Sequence, residues 1–147
     1  MKATDVIIYT DMDGTALTDW SLGPVVPERN LARIRAFVSA GGLFSVASGR
    51  QAPGILQLFP GVAFHAPLVC GNGSVIYDPA EQQVLRKTCL PADYKCACVS
   101  YFLTHPEVWI VAADETRIWQ IVSGDPARDD QLNDWPRPRM SIEDFFS

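Results

Sequence analysis

The spacing of apolar residues along this chain of 147 residues switches between strand-like runs and a helical period, and each switch marks an element. Val6-Ile7-Ile8-Tyr9-Thr10 is almost continuously apolar and β-branched, which predicts a strand buried in a parallel sheet. The run stops at Asp11-Met12-Asp13-Gly14-Thr15, because Asp and Gly are poor strand residues that turn the chain. Thr18 to Pro27 is polar and carries Pro and Gly, the pattern of a loop. Leu31, Ile34 and Val38 then recur at helical spacing beside Phe37, with Pro27 and Glu28 at the helix start and Gly41-Gly42 at its end. Leu43 to Ala47 returns to the strand pattern. Such a β-α-β unit crosses over right-handed, so the two strands run parallel and their carboxyl ends share one edge.

Arg50-Gln51-Ala52-Pro53 opens a second, short helix that ends near Phe59-Pro60-Gly61. Leu68-Val69-Cys70 is a third strand, followed by a turn at Gly71-Asn72-Gly73. Ser74 to Tyr77 and Gln83 to Lys87 form a hairpin about Asp78-Pro79-Ala80-Glu81. Beyond the linker Leu90-Pro91-Ala92-Asp93, a helix carries Tyr94, Cys98, Tyr101 and Phe102, and strands follow at Val108 to Ala112 and Thr116 to Val122. From Ser123 onward Pro126, Pro136 and Pro138 among charges predict a poorly structured tail. Trp109, Trp119 and Trp135 are expected in core or interface positions. The fold class is α/β: a Rossmann-like parallel sheet with three N-terminal strands and a hairpin over residues 1–88, then a smaller α+β part over 89–147.

Composition narrows the partners. Hydrophobic residues make up 48% of the chain, which fits a globular core and argues against disorder. A net charge of −5 and a pI near 4.8 argue against a nucleic-acid partner. No apolar stretch is long enough to span a bilayer, so no membrane partner is expected. Met1 to Asp5 runs straight into the first strand and leaves no room for a signal peptide, so the expected location is cytoplasmic. Cys70, Cys89, Cys96 and Cys98 lack the spacing of a zinc site; Cys96 and Cys98 read as small apolar positions on a helix.

The candidate chemistry lies where the first strand ends. Asp11 and Asp13 stand two positions apart at the carboxyl edge, where open α/β sheets bind ligands. Two anionic groups so close repel unless a cation sits between them and a ligand, and hard oxygen donors favour Mg²⁺, with Asp11 and Asp13 as its ligands. Such an ion also neutralises an incoming phosphate. Asp11 could then attack phosphorus and form an acyl phosphate, while Asp13 gives a proton to the leaving oxygen and later takes one from water. Gly14 allows close backbone approach, and Thr15 offers a hydroxyl and an N–H. The same Asp residues also serve well as caps of a turn. On the second strand's edge, Ser48 and Gly49 precede the free N–H groups of a helix start and suit phosphate contacts. Arg50 either reaches a substrate oxygen, pairs with a core carboxylate or forms a surface ion pair; Asn72 is a substrate-side hydrogen-bonding residue or a turn former.

Asp11-Met12-Asp13-Gly14-Thr15 resembles the first motif of the haloacid dehalogenase (HAD) superfamily. These are Mg²⁺-dependent enzymes, mostly phosphatases, that work through an aspartyl-phosphate. Leu43-Phe44-Ser45-Val46-Ala47-Ser48-Gly49-Arg50 resembles the second motif in the form typical of the Cof-like branch, which carries a large α/β cap of the C2 type. Pro67 to Asp78 resembles the third strand and hairpin of that branch. These three ordered matches cover about the first 80 residues. The resemblance implies a phosphatase for a small phosphorylated metabolite, a sugar phosphate being one candidate, with residues 89–147 as a partial cap.

The superfamily's basic third motif and its fourth-motif acid pair have no clear counterpart, since Lys2, Lys87 and Lys95 lack the matching context. The expectation is therefore the N-terminal half of a HAD hydrolase. Ile121-Val122-Ser123-Gly124-Asp125, with Asp129 and Asp130 close behind, superficially resembles the fourth motif; the basic third motif is absent upstream, and a Gly-Asp-Pro turn leaving a cap strand explains the same residues, so Asp125 and Asp129 are not counted as site residues. Two other functions stay open: a catalytically inactive fragment serving as a binding module, and a phosphomutase.

Overall fold

The computed structural model describes residues 3–17, 24–132 and 137–147, and divides into two compact units, residues 1–88 and 89–147. In the first unit β1 (Ile7–Thr10) pairs in parallel with β2 (Leu43–Val46), setting Ile8 beside Phe44 and Thr10 beside Val46. The connection is α1 (Glu28–Ser39), which starts after Pro27 and buries Leu31. β2 continues through α2 (Ala52–Leu58) to β3 (Leu68–Cys70), and a parallel bridge from Ala47 to Val69 joins β2 to β3. β3 then pairs antiparallel with β4 (Val75–Asp78), and β4 with β5 (Gln83–Lys87), with a register shift at Ile76/Tyr77.

Phe44 is central to the packing beneath this sheet. It is 3% exposed, and its ring lies 5.8 Å from Phe59 and 6.0 Å from Phe64. Phe59 and Phe64 meet edge-on at 5.8 Å, the arrangement that ring quadrupoles favour. Met12, Val46, Ile55 and Leu68 are fully buried in the same cluster. Met12 therefore serves the core from between the two aspartates.

β1 departs from expectation. Its unbroken apolar run predicts burial on both faces, yet Ile7, Ile8 and Tyr9 are 49%, 42% and 44% exposed. The reason is topological: β1 pairs with β2 on one flank and with no other described strand. An apolar groove of about 360 Å³ runs beside it, lined by Ile8, Ile34, Phe37 and Phe44 among others. The sequence pattern reports the environment such a strand suits, not whether a neighbour is present on both sides.

In the second unit α3 (Ala92–Thr104) buries Val99 and Phe102. β6 (Ile110–Ala113) and β7 (Ile118–Val122) form an antiparallel pair. The region from Ser123 is not the poorly structured tail expected. α4 (Pro126–Asp129) is capped by Asp125, β8 (Arg139–Ser141) pairs in parallel with β7, and α5 (Ile142–Phe146) is capped by Ser141. The misreading came from charge. Arg128 and Asp129 look like solvated loop residues but are 9% and 5% exposed. Arg128 Nη2 donates to the carbonyls of Phe102, His105 and Val108, and its guanidinium lies 3.9 Å over the Phe102 ring. Pro126 at a first helical position loses no hydrogen bond, so it starts α4 rather than breaking structure.

Other expectations shift in detail. Trp109 is 37% exposed, and Trp119 is half-buried and donates from Nε1 to Asp114 at 3.2 Å; Trp135 and Pro136 lie outside the described residues. Cys96 and Cys98 are on a helix as expected, but exposed, whereas burial pushes the Cys70 thiol up to about 11. No described helix is long and apolar enough to cross a membrane.

The β6–β7 turn makes a pH-dependent prediction. Burial opposes ionisation of Asp114, but hydrogen bonds from Thr116 N and Oγ1, Arg117 N and Trp119 Nε1 outweigh it and hold the carboxyl at about 2. A folded value below the unfolded 3.8 means the turn gains stability above the unfolded value and loses it as pH falls from there toward 2. The Trp119 indole N–H resonance should accordingly shift with a midpoint well below 3.8, and Asp114→Asn should abolish that titration. A midpoint at the ordinary carboxylate value would contradict the hydrogen-bonded turn.

Candidate active site

Asp11 follows the last residue of β1, and Ser48 lies two residues beyond the end of β2. Because these strands are parallel and Ala47 N donates to Thr10 O at 2.9 Å, both residues stand on the same carboxyl edge. Ser48 N in turn donates to Val69 O, and Asn72 N donates to Ser48 O at 3.1 Å. Three strand ends thus converge on Asp11, Ser48 and Asn72.

The first turn is organised from below. Met12 is buried, and its carbonyl accepts from Thr15 N at 3.2 Å and Leu17 N at 2.8 Å, which folds the chain back sharply. Gly14 sits at φ 79°, a left-handed conformation that L side chains resist. Thr15 Oγ1 donates to Asp11 Oδ2 over a long 3.4 Å. Asp11 and Asp13 are both exposed at this turn.

The second turn brings Ser48, Gly49 and Arg50 together. Ser48 is 7% exposed, and its Oγ accepts from Arg50 N at 3.3 Å. Among the described residues this hydroxyl donates to nothing, so its proton remains available to an incoming oxygen. Gly49 faces Asn72 so closely that a Cβ there would stand 3.0 Å from Asn72 Oδ1. Asn72 itself adopts φ 54°, so it is a turn former in this structure, and its amide lies against Gly49. Of the three alternatives for Arg50, the structure realises the core carboxylate: its Nη2 lies 2.7 Å from Asp13 Oδ1 and its Nε 3.3 Å from Oδ2.

The donors for a metal are few. Asp11 and Asp13 bring the carboxylates of the first turn, and no group of three His, Cys, Asp or Glu side chains gathers among the described residues. Hard oxygen donors in this number suit Mg²⁺, which keeps several waters and commonly binds through one or two carboxylates plus a substrate phosphate. Asp125 and Asp129 are held within their own turn of the second unit. Asp125 Oδ1 accepts from Ala127 N, and both Asp129 oxygens accept from Ser123 and Gly124 within their own turn.

One contact behind the first turn carries no motif: Asn30 on α1 donates from Nδ2 to Ala16 O at 3.5 Å, and a polar residue on the inner face of α1 was its available signal in the sequence.

Comparison with known proteins follows the same outline. A family model for haloacid dehalogenase-like hydrolases matches residues 8–146. The chain is 31% identical over 121 residues to 5-amino-6-(5-phospho-D-ribitylamino)uracil phosphatase YbjI of Escherichia coli strain K12, covering 82% of this chain and 43% of that protein. Among solved structures it is similar to a haloacid dehalogenase-like hydrolase from Bacteroides thetaiotaomicron, with TM-score 0.68, 21% identity, and coverage of 95% of this chain and 52% of that one. It is also similar to the HAD subclass IIB sugar phosphatase BT4131, with TM-score 0.67, 17% identity, and coverage of 94% and 53%. The chain thus spans about half the length of the relatives it matches.

Proposed function

The chain belongs to the haloacid dehalogenase-like hydrolases, and from that premise we propose that its site transfers a phosphoryl group from a small phosphomonoester to Asp11 and then to water. The observation that carries the reading is the shared carboxyl edge. A carboxylate at the end of β1 faces the same rim as a buried Ser48 hydroxyl whose proton is unspent.

In this mechanism an Asp11 carboxylate oxygen forms a bond to phosphorus as the bond to the leaving oxygen breaks. Asp13, which enters this step as the carboxylic acid, protonates that oxygen, so the leaving group departs as a neutral alcohol and Asp13 is left as the carboxylate. Asp13 then takes a proton from water, which attacks the aspartyl-phosphate and releases inorganic phosphate. Ser48 donates its hydroxyl to a phosphoryl oxygen, and the backbone at Gly14 and Gly49 offers N–H groups to the others, while Thr15 N stays on the Met12 carbonyl. Asp11 and the Asp13 carbonyl would hold Mg²⁺, which supplies charge neutralisation when bound. The YbjI and BT4131 names support a small phosphorylated metabolite, with a sugar-like moiety, as the substrate class.

The test is release of phosphate from p-nitrophenyl phosphate by the purified chain with and without Mg²⁺. Release that requires the ion supports the reading. No release at any Mg²⁺ concentration favours a second one, a binding module without turnover. A phosphomutase of the same type would be recognised by phosphorylated product in place of free phosphate.

A further inference from the structure

Arg50 is held more firmly than a surface arginine needs to be. Its N–H donates to Ser48 Oγ, its carbonyl accepts from Gly71 N at 3.1 Å, and its side chain is 25% exposed. The backbone is therefore tied to the second and third turns while the guanidinium crosses to the first. There it meets both oxygens of Asp13, at 2.7 Å and 3.3 Å, from 37 positions along the chain. A planar fork that engages two carboxylate oxygens fixes orientation as well as charge, which a single ammonium does not.

From this geometry we infer that Arg50 is a positioning residue that divides the labour of the two aspartates. By occupying both oxygens of Asp13 it keeps that carboxylate off the divalent cation and turned toward the substrate rim. Asp11 is left as the sole carboxylate ligand from this turn, and Asp13 contributes its carbonyl. The inference rests on the phosphatase reading above and deepens it. Without the fork, Asp13 has no reason to stay clear of a cation beside it, since a free carboxylate and a divalent ion attract strongly at that range.

The consequence is counter-intuitive and measurable without turnover. Mn²⁺ stands in for Mg²⁺, and free Mn²⁺ is counted by its EPR signal during titration of the full 147-residue chain. Arg50→Gln should tighten Mn²⁺ binding about tenfold, because a released carboxylate adds a charged ligand. Arg50→Lys should tighten it in the same direction although the positive charge remains. In an Asp13→Asn background the Arg50 substitutions should change nothing. If the chain turns over, Arg50→Lys should lower kcat while leaving KM nearly unchanged.

Three results overturn the inference. Affinity unchanged within twofold on replacing Arg50 would mean that the fork does not govern Asp13. Equal tightening in the Asp13→Asn background would mean that the arginine acts only as a distant charge. No Mn²⁺ binding by any variant would remove the metal site itself, and with it both this inference and the metal-assisted reading. Far-UV circular dichroism identifies any variant that fails to fold; Arg50→Lys, the milder change, then carries the comparison.

Discussion

Asp11→Asn is expected to lower phosphate release by at least about a thousandfold, while the melting temperature of the chain stays within a degree or two. The activity loss follows from electron supply. An amide oxygen is a poor nucleophile for phosphorus, and a neutral side chain gives up the carboxylate charge that Asp11 offers the cation. The small stability effect follows from the surroundings of Asp11, which is exposed and whose side chain takes one long contact from Thr15. Asp13→Asn should behave differently. With an aryl phosphate the leaving group departs without help, so the first step survives and the aspartyl-phosphate accumulates for want of a base to activate water. With an alkyl phosphate the first step should slow as well. Single-turnover quench experiments with the two substrates separate these cases. An Asp11→Asn variant that keeps more than a tenth of the parent's turnover would remove Asp11 from the nucleophile's role.

The parts of the site that were legible in the sequence are those where chemistry and chain geometry impose the same residue. Asp11 to Thr15 requires a strand end, a glycine able to adopt positive φ and small polar side chains, and each requirement leaves a letter in the sequence. The common edge of Asp11 and Ser48 follows from right-handed crossover alone, and the observed parallel register of β1 and β2 agrees with it. Choosing among Arg50's partners was a different kind of problem. Nothing local distinguishes an arginine that will reach a substrate from one that will cross to Asp13, because the contact spans 37 positions and depends on where two turns end up.

The region after Ser123 was misread for a related reason. Propensity rules weigh proline and charge as loop signals, and they count Pro126, Arg128, Asp129 and Pro138 accordingly. The structure uses Pro126 to start α4 and both charged residues to tie the unit together. Asp129 collects three donors from Ser123 and Gly124, Arg128 gathers three carbonyls from the end of α3 and the approach to β6, and Gln120 Nε2 donates to the Asp129 carbonyl. Buried charge is costly unless its hydrogen bonds are made; Arg128 makes its bonds through Nη2, with partners up to 26 positions away, while its Nε is buried without a partner among the described residues. A local reading cannot see them. The bare flank of β1 is the converse case, in which the residue pattern was read correctly and the expected second neighbour is absent among the described strands.

Phe44→Ala is expected to produce the largest loss of stability in the first unit, about 3–5 kcal/mol, a large fraction of the whole for an ordinary domain. The magnitude follows from position. Phe44 is 3% exposed, touches two other rings, and pairs in register with Ile8 across the sheet. Its removal deletes the ring contacts and leaves a void that opens onto the groove of about 360 Å³ already present beside β1. Merging with that groove admits water to the inner ends of Ile34 and Phe37, so partial collapse cannot recover the lost burial. The effect should also reach the site, because β2 carries Val46 and Ala47 directly to Ser48, and loosening that strand frees the hydroxyl from its edge. Phe44→Leu, which keeps much of the volume, should cost about 1 kcal/mol or slightly more. Urea unfolding at constant m-value gives both numbers from the shift in midpoint. A shift of Phe44→Ala no larger than that of Phe44→Leu would mean that the three-ring cluster does not hold β2 in place, and that α1 and α2 carry the first unit without it.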